Sequence, residues 1–108
     1  MPFLAFIVNC PDAATADKIA DALLSQRLVA SANRHPPVLA RFHWRDEIKT
    51  AEQHPLMLKT RQELRDLVEA EINRLHPYEV PPITRVSMEA SVAYLSWIAA
   101  ETSGDNTG

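Results

Sequence analysis

The sequence predicts an α+β domain in the order β-α-β-β-α-β, with one further helix near its C-terminal end. Three observations carry that prediction. Two apolar stripes recur at helical spacing, from Ala16 to Leu24 and from Leu64 to Leu75. Extended apolar runs flank both stripes, and prolines at Pro11, Pro36, Pro37, Pro77 and Pro81 punctuate the junctions. Proline removes a backbone donor and pushes the residue before it into extended conformation, so these positions end or open elements.

The first element is Phe3 to Asn9, where Phe3, Ile7 and Val8 favour a strand. Pro11-Asp12 then opens a helix with Asp12 as N-cap, whose buried face is Ala16, Ile19, Ala20, Leu23 and Leu24. Leu28 to Asn33 reads as the second strand, ended by His35-Pro36-Pro37. Val38 to Trp44 and Glu47 to Leu58 form a long hairpin turning at Arg45-Asp46. Pro55 cannot donate to a ladder and marks an edge or a bulge in the second arm. Thr60-Arg61-Gln62-Glu63 has the spacing of a capping box, and the helix it opens buries Leu64, Leu67, Val68, Ile72 and Leu75. That helix ends before Pro77. Ile83 to Met88 is a further strand, and Val92 to about Ala100 a last helix capped by Ser91. This order is the ferredoxin-like sandwich.

Composition narrows the function. The chain has 108 residues, 46% hydrophobic and 23% charged, which suits one domain over 1–102 followed by a short disordered tail at 103–108. A net charge of −3, with scattered basic residues, argues against nucleic acid as a partner. No apolar run is long enough to cross a membrane, and the N-terminus does not read as a signal peptide. The single cysteine, Cys10, rules out an intrachain disulfide and fits a cytoplasmic protein. Both glycines, Gly104 and Gly108, lie in the tail, so no glycine-rich phosphate loop or nucleotide cofactor site is present. Ser25, Ser31, Ser87 and Ser96 have no histidine at catalytic spacing, which speaks against an enzyme.

One segment goes further. His76-Pro77-Tyr78-Glu79-Val80-Pro81 is held straight by its prolines. It stands with Asn9-Cys10-Pro11, Trp44, Lys59-Thr60 and Tyr94-Leu95-Ser96-Trp97 in one order along the chain. That series resembles the CutA divalent-cation-tolerance family from about Phe3 to Glu101. The resemblance implies a homotrimer with the general architecture of PII signalling proteins, whose sheets meet between subunits, and a role in tolerance of divalent ions. Independently, the long hairpin exceeds what a compact monomer uses, and its edges invite pairing.

Candidate residues follow in two sets. For a divalent cation, copper by resemblance and zinc as the alternative, the set is Cys10, His76 and Glu79. Imidazole, thiolate and carboxylate are the donors such ions take. Against each stands a plainer role: Cys10 as a small buried strand-end residue, His76 as a helix-end hydrogen-bonding group. His35, His43 and His54 read as solvated. For a small anionic ligand in a cleft between subunits, the set is Asn33, Trp44, Lys59 and Tyr78, with His76 beside Lys59. Here the plainer role is a polar interface with Lys59 paired to Glu79. The chain departs from the family pattern at Ala40, Phe42 and Asp46 in the hairpin, at Ser31, and at Gln53, where relatives carry an acid. A neutral amide is a poorer cation ligand than a carboxylate, so the motif supports fold and assembly more strongly than metal binding.

Overall fold

The computed structural model describes residues 2–103. Its elements are β1 (Phe3–Cys10), α1 (Ala13–Ser25), β2 (Ser31–Arg34), β3 (Val38–Trp44), β4 (Glu47–Arg61), a 3₁₀ turn (Gln62–Leu64), α2 (Arg65–Leu75), β5 (Ile83–Met88) and α3 (Val92–Glu101). The main sheet runs β2-β4-β1-β5, antiparallel throughout, and β3 pairs with β4 outside that path. This is the expected ferredoxin-like arrangement with a hairpin and an added helix. The residues expected to form a disordered tail lie, from 104 onward, outside the described residues.

Alternation along β1 divides the molecule. Leu4, Phe6, Val8 and Cys10 enter the core with Leu56 and Leu58 of β4, Ala16, Ile19 and Leu23 of α1, and Val68 and Ile72 of α2. The out-of-phase residues face α3 instead: Lys59 Nζ donates to Tyr94 Oη at 3.3 Å, and Arg61 Nε donates to Thr102 Oγ1 at 2.9 Å. Asp12 and Ser91 cap α1 and α3 as expected, accepting from Thr15 N and Tyr94 N. Such caps are each worth about 1 kcal/mol.

Several expectations are corrected. Leu24 and Leu67 are 40% and 58% exposed, because the buried stripe of each helix is narrower than its apolar stripe. β2 starts at Ser31, not Leu28; Leu28 and Val29 are buried in the connection before it. Thr60 caps nothing. It lies inside β4, fully buried, and its hydroxyl donates to the Leu28 carbonyl at 2.6 Å. An otherwise unpaired buried carbonyl costs about 1–3 kcal/mol, which outweighs a helix cap. The strand therefore runs on to Arg61, and α2 begins only after the 3₁₀ turn.

β4 serves three ladders: along one edge Leu56 to Lys59 pair with β2, and its other partners follow one another along the strand. Glu47 to Gln53 pair with β3, and His54 to Arg61 pair with β1. Pro55 sits where one ladder gives way to the other, opposite Asn9, and its carbonyl accepts from His35 N at 2.8 Å. The unbroken β1 register rules out a bulge, while on the other side the β2 ladder stops one pair short of it, at Arg34–Leu56, so no ladder donor is lost. At the hairpin tip Arg45 and Asp46 both have positive φ, 50° and 66°, as a two-residue type I′ turn requires. Arg27, with φ 55°, likewise ends α1 where most chains use glycine. Its guanidinium binds Glu101 at 3.1 Å, which ties that left-handed residue to the end of α3.

Candidate functional site

Pro77 forces His76 out of the helix, and the geometry of the motif follows. His76 caps α2 with φ −79° and ψ 136°, and its N–H still donates to Ile72 at 2.9 Å. Its ring is buried, at 6% exposure. Nδ1 accepts from the Tyr78 N–H at 3.2 Å, so the proton resides on Nε2, which donates to the Asn9 carbonyl at 2.8 Å. Both ring nitrogens are thus occupied. The Tyr78 ring meets the imidazole edge-on, with centroids 4.7 Å apart, and the Tyr78 hydroxyl accepts from Gln53 Nε2 at 3.3 Å. In this way the motif bolts the end of β1 to the middle of β4.

Cys10, one residue beyond Asn9, is buried, and its thiol points to the Val8 carbonyl at 3.9 Å. Burial, helped by the Asp12 carboxylate, pushes the thiol up to about 11. Cys10 is therefore expected to resist iodoacetamide near neutral pH and to become reactive only as pH approaches 11, as read by mass spectrometry of the native protein. The folded thiol holds its proton more tightly than the unfolded one. Its stabilising contribution is full below the ordinary thiol value of 9.0 and is lost as pH rises through about 11.

Glu79 faces outward and binds Arg45 at 2.6 Å, while the Arg45 guanidinium lies 5.0 Å above the Trp44 ring. The expected Lys59–Glu79 pair is not formed. Lys59 lies on the opposite sheet face, over the Tyr94 ring at 5.3 Å, and Tyr94 stacks on Trp97 at 5.8 Å. Asn33 is on that same face, since Asn33 pairs with Met57 and Ser31 with Lys59. The second candidate set therefore divides: Trp44 and Tyr78 under the hairpin, Lys59 and Asn33 on the sheet face toward α3.

The first set does not form a ready metal site within one chain. Cys10 is protonated, His76 has no free nitrogen and Glu79 is engaged by Arg45. Among the described residues, no three His, Cys, Asp or Glu side chains are grouped to hold an ion. One neighbour, His54, reads from the sequence as solvated and is instead largely buried. His54 stands directly across from Cys10 in the β1–β4 register, with 14% of its side chain exposed and Nε2 3.4 Å from Glu52. Counting back along β4 from Lys59 against β1 would have found it.

The fold and the site together define a small α+β protein of ferredoxin-like topology with a long β3–β4 hairpin. The chain belongs to the CutA1 divalent ion tolerance protein family, which it matches over residues 4–101. By its description that family is one of divalent-ion tolerance proteins. It is 36% identical over 93 residues to the divalent-cation tolerance protein CutA of Pyrococcus horikoshii, covering 85% of this chain and 90% of that one. It is 33% identical over 94 residues to the CutA homolog of Danio rerio, covering 86% of this chain but only 63% of the fish protein. The solved divalent cation tolerance protein of Thermus thermophilus superposes with a TM-score of 0.90 at 27% identity, covering 94% of this chain and 99% of that one. No helix among the described residues is long and apolar enough to cross a membrane.

Proposed function

We propose that the protein acts in divalent-cation tolerance as a cytoplasmic homotrimer that contacts copper, or alternatively zinc, through Cys10, His76 and Glu79. The observation that carries this reading is the junction of Cys10 and His76 through the Asn9 carbonyl, within a chain of the divalent ion tolerance family. The trimer draws support from the hairpin, where Leu39 and Ile48 are 74% and 63% exposed. Apolar residues so placed on an unpaired edge strand call for a protein partner.

Binding is coupled to protons. Cys10 must ionise and His76 must release one internal bond, so metal uptake expels protons and strengthens as pH rises. Isothermal titration with Cu²⁺ in two buffers of different ionisation enthalpy is expected to show one saturable site per chain with proton release. Cys10→Ser is expected to weaken it at least tenfold. No saturable site in wild type, or unchanged binding in Cys10→Ser, would refute the ligand set.

A second reading, sensing of a small anionic metabolite, is favoured by Lys59. This half-buried ammonium has no carboxylate partner among the described residues, and the hydroxyl of Ser31, its partner across the strands, is buried without a hydrogen bond. A phosphate or carboxylate that raises the melting temperature of wild type but not of Lys59→Met would support it.

A further inference from the structure

Of the three helices, α3 adds nothing to the hydrophobic core. Ile19 and Leu23 of α1 and Val68 and Ile72 of α2 belong to it, whereas Ile98, the one apolar side chain that α3 buries fully, lies outside it. Polar bonds hold the helix instead. At its C-terminal end Arg27 Nη1 donates to the Glu101 carbonyl at 3.0 Å and to its carboxylate at 3.1 Å, and Arg61 Nη2 donates to the Thr102 carbonyl at 2.6 Å. The arginines thus satisfy carbonyls that a helix end leaves open. Both side chains of the Arg27–Glu101 pair are 43% exposed, so water and salt weaken it. A helix with so few buried apolar contacts opens at less cost than the core does.

At the other end of α3, Tyr94 stands where a counter-ion belongs. Lys59 Nζ donates to its hydroxyl at 3.3 Å and lies 5.3 Å from the centre of its ring. The phenol is a neutral acceptor for a half-buried ammonium that has no carboxylate partner among the described residues. Hydrogen bonds between two ionised groups are about twice as strong as neutral ones. An oxyanion is therefore the better partner for Lys59, and it takes that place only when the phenol leaves. Tyr94 stacks on the half-exposed Trp97, so the two rings can move with the helix that carries them.

We infer that α3 is a strap that opens as a unit and that Tyr94 is its latch: the phenol blocks Lys59 until a small oxyanion displaces it. This inference rests on the anion-sensing reading above and adds the moving part through which an anion is sensed.

Hydrogen–deuterium exchange of the full chain, read by mass spectrometry, tests the strap. Peptides from α3 are expected to exchange at least tenfold faster than those from β1. Exchange as slow as that of β1 overturns the strap. Inorganic phosphate is expected to speed exchange in α3 but not in β1. The effect should exceed that of sodium chloride at the same ionic strength, since screening alone loosens the Arg27–Glu101 pair. In Lys59→Met the two salts are expected to act alike.

Isothermal titration with phosphate reads the latch. Tyr94→Phe keeps the ring and removes only the hydroxyl. It is expected to bind phosphate about threefold to tenfold more tightly than wild type, the scale of one net hydrogen bond. Binding that needs Lys59 but is no tighter in Tyr94→Phe, or that slows exchange in α3, overturns the latch and leaves the anion reading standing. No Lys59-dependent binding in either form overturns the anion reading and the latch together.

Discussion

For the homotrimer proposed above, glutamate at both Leu39 and Ile48 is expected to turn the species seen by sedimentation equilibrium from three chains into one at micromolar concentration. The two side chains lie on the same face of the hairpin, because Leu39 pairs with Glu52 and His43 with Ile48, and neither packs on the core of its own chain. Within one chain the substitutions are therefore close to neutral, since surface changes away from special features stay within about 0.5 kcal/mol. Within an assembly, two unpaired carboxylates would be taken from water, at a cost of several kcal/mol per contact. Circular dichroism should show the secondary structure retained. A wild type that sediments as a monomer would remove the trimer. A double variant that still sediments as three chains would place the interface elsewhere.

The second large effect is on stability. His76→Ala is expected to lower the free energy of unfolding by about 2–4 kcal/mol, measured by denaturant titration at fixed protein concentration. The ring donates to the Asn9 carbonyl and accepts from the Tyr78 amide while lying almost wholly out of solvent. Its removal leaves both groups unpaired and opens a space beside the core. Tyr78 and Gln53 are held through the same segment, so the Tyr78 ring should lose its fixed orientation. A loss below about 0.5 kcal/mol would show that the ring is not structural.

Much of the fold was legible because its signals are local. Asp12 and Ser91 stand immediately before apolar stripes, and their caps formed where expected. Pro77 ended α2 by sterics that need no tertiary partner. What was not legible depended on distant groups. Thr60 matched a capping box in its own neighbourhood, but the Leu28 carbonyl, remote in sequence, took its hydroxyl. Lys59 and Glu79 looked like an ion pair until strand alternation put Lys59 on the face toward α3, and the hairpin tip brought Arg45 to Glu79. His54 became a neighbour of Cys10 only through the β1–β4 register. The candidate site was therefore readable as a set of residues but not as a set of contacts. Gln53 stood out in the sequence as a lost acid; its buried, half-satisfied amide required the packed hairpin to be seen.

The sheet order bears on how the protein is made. β1 is synthesised before the other strands, yet its ladder partners are β4 and β5. At roughly 5–20 residues per second, β1 waits on the order of seconds on the ribosome before Leu56 and Leu58 arrive to pair with it. During that interval Phe-Leu-Ala-Phe-Ile-Val is an unpaired apolar strand, and only α1, made next, can lie over Phe6 and Val8. The hairpin of β3 and β4, by contrast, closes from adjacent residues. Early helix formation by the Asp12-capped segment is then a form of self-chaperoning.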